Sequence, residues 1–210
     1  MVKIFIEGKN KTVPESEFLS TILLHIGVDS NRYELIHTDG YKNLLDSAIT
    51  SNVEIMRANT DAGGKNLVIF DADTTANGGS FTVRQNEILE RKASLGLDFE
   101  LFLWPDNQSD GDVEILMENI ARKDLYPEFF ECFSKYEHCL SQRKDERGES
   151  FYTTPNRKGK LHTYFHAIPI SKTKKDGFGK GFWLWDNPSI WNMDAKPLDP
   201  IKEFLLKNIR

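Results

Sequence analysis

Asn66-Leu67-Val68-Ile69-Phe70-Asp71-Ala72-Asp73 is the stretch on which the fold turns. Its apolar run follows a chain break at Gly63-Gly64 and stops at an acid. A run this short, rich in β-branched and aromatic residues and bounded by turn signals, reads as a strand buried on both faces. Val2-Lys3-Ile4-Phe5-Ile6 is a second such run and ends at Glu7-Gly8. Tyr33 to His37 is a weaker strand, and Asp98 to Trp104 is a fourth, closed by Pro105.

Helical patterns lie between these strands. Pro14 and Ser16 open a helix with apolar residues Phe18, Leu19, Ile22, Leu23 and Ile26, stopped by Gly27. Leu44, Leu45, Ala48 and Ile49 form a second stripe, and Ser80 caps a third helix that ends near Gly96. Strands alternating with helices predict an α/β fold: a mostly parallel, Rossmann-like sheet with right-handed crossovers and helices on its faces. After Pro105 the pattern turns helical. Val113, Leu116, Met117 and Ile120 form one apolar face, and Phe129, Phe130, Phe133, Tyr136 and Leu140 another. Ile201, Phe204, Leu205 and Ile209 form the last, with Pro200 at its start. Ser141 to Gly159 is polar and reads as a loop. The expected organisation is a core over 1–105 and an α-rich C-terminal extension over 106–210 packed on it.

A chain of 210 residues with 39% hydrophobic and 28% charged residues can bury a core unaided. No apolar run approaches the ~20 residues that span a bilayer. MVKIFIEGKN is too short and too soon charged for a signal peptide. Cys132 and Cys139 give no disulfide framework and read as reduced, partly buried thiols of a cytoplasmic protein. A net charge of −5 argues against a wholly basic DNA-binding module. It leaves room for an enzyme that meets nucleic acid through a metal and a local basic patch. Such a patch is visible in Arg143, Lys144, Arg147, Arg157, Lys158, Lys160, Lys172, Lys174, Lys175 and Lys180.

Open parallel sheets bind ligands outside the carboxyl ends of their strands. Glu7 ends the first strand, and Asp71 and Asp73 end the best one. A spacing of two aims both aspartates to one side if the chain stays extended. Gathered carboxylates repel unless a cation neutralises them, and Mg²⁺ (or Mn²⁺) suits oxygen ligands and substrate phosphates. The plainer reading is also open, since loops and first helical turns favour acids.

Ile6-Glu7-Gly8 followed by Phe70-Asp71-Ala72-Asp73 resembles the Toprim domain of topoisomerases, DnaG-type primases, small ribonucleases and OLD-family nucleases. The resemblance covers roughly residues 1 to 105. It implies that Glu7 serves acid–base catalysis or metal binding and that Asp71 and Asp73 hold Mg²⁺. A wider likeness to stand-alone Toprim-like proteins rests on Trp104-Pro105-Asp106-Asn107, on Asp110-Gly111-Asp112-Val113-Glu114 and on Pro197-Leu198-Asp199-Pro200-Ile201 near the end. There are departures. Lys11 stands where Toprim proteins commonly carry an aspartate, for which Glu17 is a substitute. Thr75 replaces a third acid, for which Glu114 or Asp112 is a candidate.

The function expected is Mg²⁺-dependent cleavage or transfer at a DNA or RNA phosphodiester. Glu7 would be the acid–base group, Asp71 and Asp73 metal ligands, and Glu114 further support. Lys9, Arg157, Lys158 and Lys160 are the candidate phosphate contacts. The rival is a non-catalytic subunit that binds nucleic acid or a separately encoded ATPase. Asp71-Ala72-Asp73-Thr74-Thr75 also fits the nucleophile motif of haloacid-dehalogenase-like phosphatases, with Asp71 attacking phosphorus. His162 and His166, and Cys132, His138 and Cys139, lack zinc-site context and read as structural. Gly177 to Gly181 has no helix signal after it and is not a P-loop. Trp183, Trp185 and Trp191 are expected to wedge the C-terminal segment onto the core, with base stacking the lesser reading.

Overall fold

A computed structural model describes residues 1–8, 14–45, 50–178 and 183–209. Four strands, β1 (Val2–Ile6), β2 (Tyr33–His37), β3 (Lys65–Asp71) and β4 (Glu100–Trp104), form one sheet in the order β2-β1-β3-β4. Every pairing is parallel. Parallel strands need long crossovers. These are supplied by α1 (Pro14–His25), by α2 (Tyr41–Leu44) with α3 (Thr50–Asp61), and by α4 (Phe81–Leu95).

Period-two alternation divides the core between the sheet's two faces. Ile4, Ile6, Leu67, Ile69, Phe102 and Trp104 share a buried cluster with Phe18, Leu19, Ile22 and Leu23 of α1. Phe5, Val68, Phe70 and Leu103 pack instead with Leu44, Val53, Met56 and Ile88. The helix α4 has the expected limits: the Ser80 side chain accepts the Val83 N–H, and Gly96 stops the helix at φ 61°.

The C-terminal half adds α5 (Val113–Ile120), α6 (Pro127–Gln142), α7 (Arg157–Ala167), α8 (Lys172–Phe178) and α9 (Asp199–Asn208). Leu116 and Met117 of α5, Leu161 and Phe165 of α7, and Ile201 and Leu205 of α9 all join the α1 face of the sheet. That face is what the extension covers. Trp183, Trp185 and Trp191 are buried there, with the Trp183 and Trp185 rings stacked 5.3 Å apart and Trp185 4.7 Å from Phe18. Buried rings cannot stack on bases, so the wedge reading holds for all three. His162 lies on α7 with its ring edge-on to Trp183, the ring centres 5.4 Å apart, a packing contact.

Two elements differ from the sequence reading. The longer helix of the second crossover, α3, begins at Thr50; Leu44 and Leu45 are buried, whereas Ala48 and Ile49 lie outside the described residues. Only Val53, Met56 and a half-buried Ile55 mark its apolar face, too few for a clear stripe. The polar stretch after Ser141 ends early, because Asn156 caps α7 by accepting the Gly159 N–H. Both cysteines are exposed, not partly buried, because α6 buries Phe133 on another face. Gly179 to Gly181 lie outside the described residues. No helix among the described residues is long and apolar enough to cross a membrane.

Asn66 is a buried polar group in β3 that binds four neighbours. Its Nδ2 donates to the Met56 carbonyl, the Thr60 Oγ1 and the Asp98 carbonyl, each at 3.0 Å, and its Oδ1 accepts from Asn59 at 2.9 Å. Buried donors stripped of partners are costly. Asn66→Leu should therefore destabilise the fold by about 2–3 kcal/mol, read as a lower urea midpoint with an unchanged slope. A loss under about 0.5 kcal/mol would mean that the amide merely fills space.

Candidate functional site

β2 lies on one side of β1 and β3 on the other, so the winding reverses between β1 and β3. A crevice at such a switch point, outside the carboxyl ends, is where open α/β sheets bind ligands. The register pairs Ile6 with Ile69, which sets Glu7 one step beyond β1 beside the end of β3. A cleft of about 450 Å³ opens there. Glu7, Glu15, Asp71, Asp73, Glu114 and Lys158 supply its charged wall, and Leu19, Ile69, Trp104 and Val113 are among its apolar lining.

Asp71 is half-buried, and its Oδ1 accepts the Val113 N–H at 2.9 Å. It thus satisfies one of the amides that the first turn of α5 leaves without an intrahelical partner. Its carboxyl is nonetheless held well above the usual carboxylate range. Burial is the chief cause, Glu114 adds to it, the Val113 N–H opposes it, and Glu7 and Asp112 add more. Glu114 is also raised, first by burial, with Lys158 opposing and Asp112 reinforcing.

Asp73 is placed differently. Its φ of 61° breaks the extended run after Asp71, and its Oδ2 meets Arg84 Nη2 at 2.5 Å. Gly79 is required beside it, since a Cβ there would come within 2.7 Å of the Asp73 Cβ. Asp71 is therefore tied to α5 and Asp73 to α4, although both border the cleft.

Lys158 reaches the cleft from the first turn of α7, with Nζ 3.7 Å from Glu15 and 3.5 Å from Glu114. Arg157 pairs with Glu118 at 3.1 Å and Asp112 at 3.5 Å, and Lys160 with Glu118 at 2.8 Å. Burial pushes Glu118 up, but the hydrogen bond and charge of Lys160, the charge of Lys123 and the hydrogen bond from Arg157 outweigh it and hold the group low. These three cations face Asp112 and acids of α1, α5 and α6 before any ligand arrives. Lys9 lies outside the described residues. Glu17 is not in the acidic cleft; it lines a separate cavity of about 640 Å³ with Glu34, His37 and Trp185.

Among the described residues, no three His, Cys, Asp or Glu side chains stand as a ready-made metal cage. Mg²⁺ does not need one, because it keeps several waters and takes one or two carboxylates plus substrate phosphates. Half-buried Asp71, raised first by burial and then by three neighbouring acids, offers the hard oxygen donors such an ion requires.

Residues 1–209 match the family described as protein of unknown function DUF3226. The chain belongs to DUF3226. No curated protein and no solved structure matches it. Two residues of this DUF3226 site escaped the sequence reading. Glu15 carries the general signal of an acid in a first helical turn, but Arg84 has no local sign of its pairing with Asp73, eleven positions earlier.

A carboxyl raised by burial stabilises the fold only while protonated, at low pH, and costs stability as pH rises through its folded-state value. Asp71→Asn keeps an acceptor for Val113 and removes that cost. In metal-free buffer at neutral pH the variant should melt a few °C higher, about 2–4 °C for each kcal/mol in a protein of this size. The gap should narrow as pH falls. A variant that melts lower than the parent at neutral pH would show that the ionised carboxylate is needed as a helix cap.

Proposed function

We propose that the cleft binds a divalent cation, Mg²⁺ or Mn²⁺, and uses it for phosphodiester cleavage or transfer on DNA or RNA, as a Toprim-type site. The observation that carries this reading is the convergence of Glu7, Asp71 and Glu114 at the switch point, where Glu114, Glu7 and Asp112 all push the Asp71 carboxyl upward. Asp71 and Glu114 would hold the ion, and Asp73 would join them by leaving Arg84. When bound, the ion supplies charge to a phosphoryl oxygen. Glu7 is exposed at the cleft's edge, where it can hand a proton to or take one from an oxygen of the scissile ester. Lys158, half-exposed on the same wall, can turn from Glu114 toward a phosphate. Cytoplasmic residence suits the two exposed thiols.

A second reading has its own support. Arg84 already balances Asp73, and Lys158 already lies between Glu15 and Glu114. A site compensated from within suits a non-catalytic Toprim-like subunit that binds nucleic acid or a separately encoded ATPase. The phosphatase reading has less support, because Asp73, its general acid, is engaged by Arg84.

Millimolar Mg²⁺ should raise the melting temperature of the parent, since an ion that binds only the folded state stabilises it. Asp71→Asn should erase that increment. Glu7→Gln should keep it but lose metal-dependent nicking of a supercoiled plasmid or a labelled RNA by ~10²-fold or more. Nicking that survives in Glu7→Gln would remove Glu7 from the chemistry. A metal-dependent rise with no nicking by the parent would favour the subunit, and a beryllofluoride adduct on Asp71 the phosphatase.

A further inference from the structure

Two groups of cations stand out in the basic stretch that begins at Arg143. Arg157, Lys158 and Lys160 all pair with acids. Arg143, Lys144 and Arg147 have no carboxylate within ion-pair distance among the described residues. They sit on a small, well-built hairpin between α6 and α7. Lys144 and Ser150 form an antiparallel bridge, Phe151 N–H donates to the Arg143 carbonyl at 2.9 Å, and Asp145 N–H to the Glu149 carbonyl at 2.9 Å. The Asp145 carboxylate is consumed by the turn, accepting the N–H groups of Arg147 and Glu149, both at 2.9 Å.

At the base of this hairpin two adjacent aromatic rings face solvent. Phe151 is 52% exposed and Tyr152 41%. The Arg143 guanidinium lies 3.9 Å from the Phe151 ring centre and 5.5 Å from that of Tyr152, and donates to the Tyr152 hydroxyl at 3.1 Å. Exposed rings held edge to face by a stacked guanidinium are pre-ordered planar surfaces, the chemistry on which unpaired bases stack without regard to sequence. The platform is also tied to the cleft. Lys158 follows Tyr152 by only six positions, a distance of at most roughly 20 Å along a fully extended chain.

We infer that the Arg143–Phe151–Tyr152 platform receives unpaired bases of a single-stranded nucleic acid and guides its backbone toward the acidic cleft. The inference rests on the proposed phosphodiester chemistry and narrows its substrate to single strands or unpaired regions. Glu146 and Glu149 stand on the same hairpin and oppose long-range attraction, so stacking carries the contact. Binding should therefore lose little affinity with salt, with a slope of about −1 on logarithmic axes, equivalent to one or two phosphates.

Fluorescence anisotropy of a labelled short oligothymidylate, with full-length protein and EDTA to prevent cleavage, tests this. The double variant Phe151→Ala, Tyr152→Ala should bind about ten-fold or more weakly, whereas Phe151→Trp, Tyr152→Phe should bind as the parent does. Both changes are on the surface, so an unchanged melting temperature verifies that the fold survives. A blunt duplex of the same length should bind more weakly than the single strand. Equal affinity of the alanine variant and the parent overturns the platform while leaving the cleft chemistry intact, because plasmid or RNA nicking is scored separately in Mg²⁺. Tighter binding of the duplex overturns it too. If the parent neither binds the oligonucleotide nor nicks in Mg²⁺, the platform and the nuclease reading fall together.

Discussion

A parallel strand pair cannot be closed by a tight turn, and its two faces must both be covered. The pairing of β1 with β3 imposes this condition on the whole chain. Ile4, Ile6, Leu67 and Ile69 face one layer and Phe5, Val68 and Phe70 the other. The second and third crossovers cover the Phe5 side. The single helix α1 cannot cover the Ile4 side alone, and the C-terminal half does the rest. In this sense the extension is not an accessory domain: without α5, α7, α9 and the tryptophan cluster, one face of the sheet would meet water.

The same pairing creates the electrostatic tension at the cleft. Aligning β1 and β3 in parallel brings their last residues to one edge, and both strands happen to end in acids. Apart from protonation of the raised Asp71 carboxyl, the protein has two ways to relieve the resulting repulsion. One is internal: the Val113 amide bonds Asp71, Arg84 takes Asp73, and Lys158 stands near Glu15 and Glu114. The other is external, a cation. The internal route is incomplete, because Asp71 remains held upward by burial and by Glu114 and Glu7 despite the amide bond. A helix cap alone would be served as well by asparagine or serine, which carry no charge to bury. The retained carboxyl is thus an argument for a ligand that values its charge.

The strands and the acids at their ends were legible in the sequence because burial on both faces writes a continuous apolar run, and a polar residue marks its end. The helices α5, α6 and α9 were legible for the same reason, each with an apolar stripe of three or more residues. The helix α3 was not, since its contact with the sheet uses few side chains and the rest of its surface is polar. The conformation of Asp73 was also hidden. Its left-handed φ follows from the close approach of Gly79 and the bond from the Gly111 N–H to its carbonyl, both products of the tertiary fold. Nor does spacing reveal that Arg157 and Lys160 converge on Glu118, because α5 and α7 are brought together only by the sheet face they share.

That convergence changes what the basic residues can do for a polyanion. Ion pairs at partly exposed positions contribute only about 0–1 kcal/mol each, so a phosphate entering the cleft could recruit Lys158 at small cost. Glu114 would then lose its compensating cation, which raises the value of a metal ion beside it. Cation and phosphate would therefore favour each other's binding through one shared carboxylate, a coupling that requires no movement of the backbone. Arg157 and Lys160 are held by shorter contacts, 3.1 Å and 2.8 Å to Glu118, and releasing them would loosen the seam between α5 and α7. Their first duty is to the fold. The hairpin cations hold only their own hairpin and pair with no acid among the described residues, and this difference in prior commitment, more than the count of positive charges, sets them apart from the cations that hold the helices together.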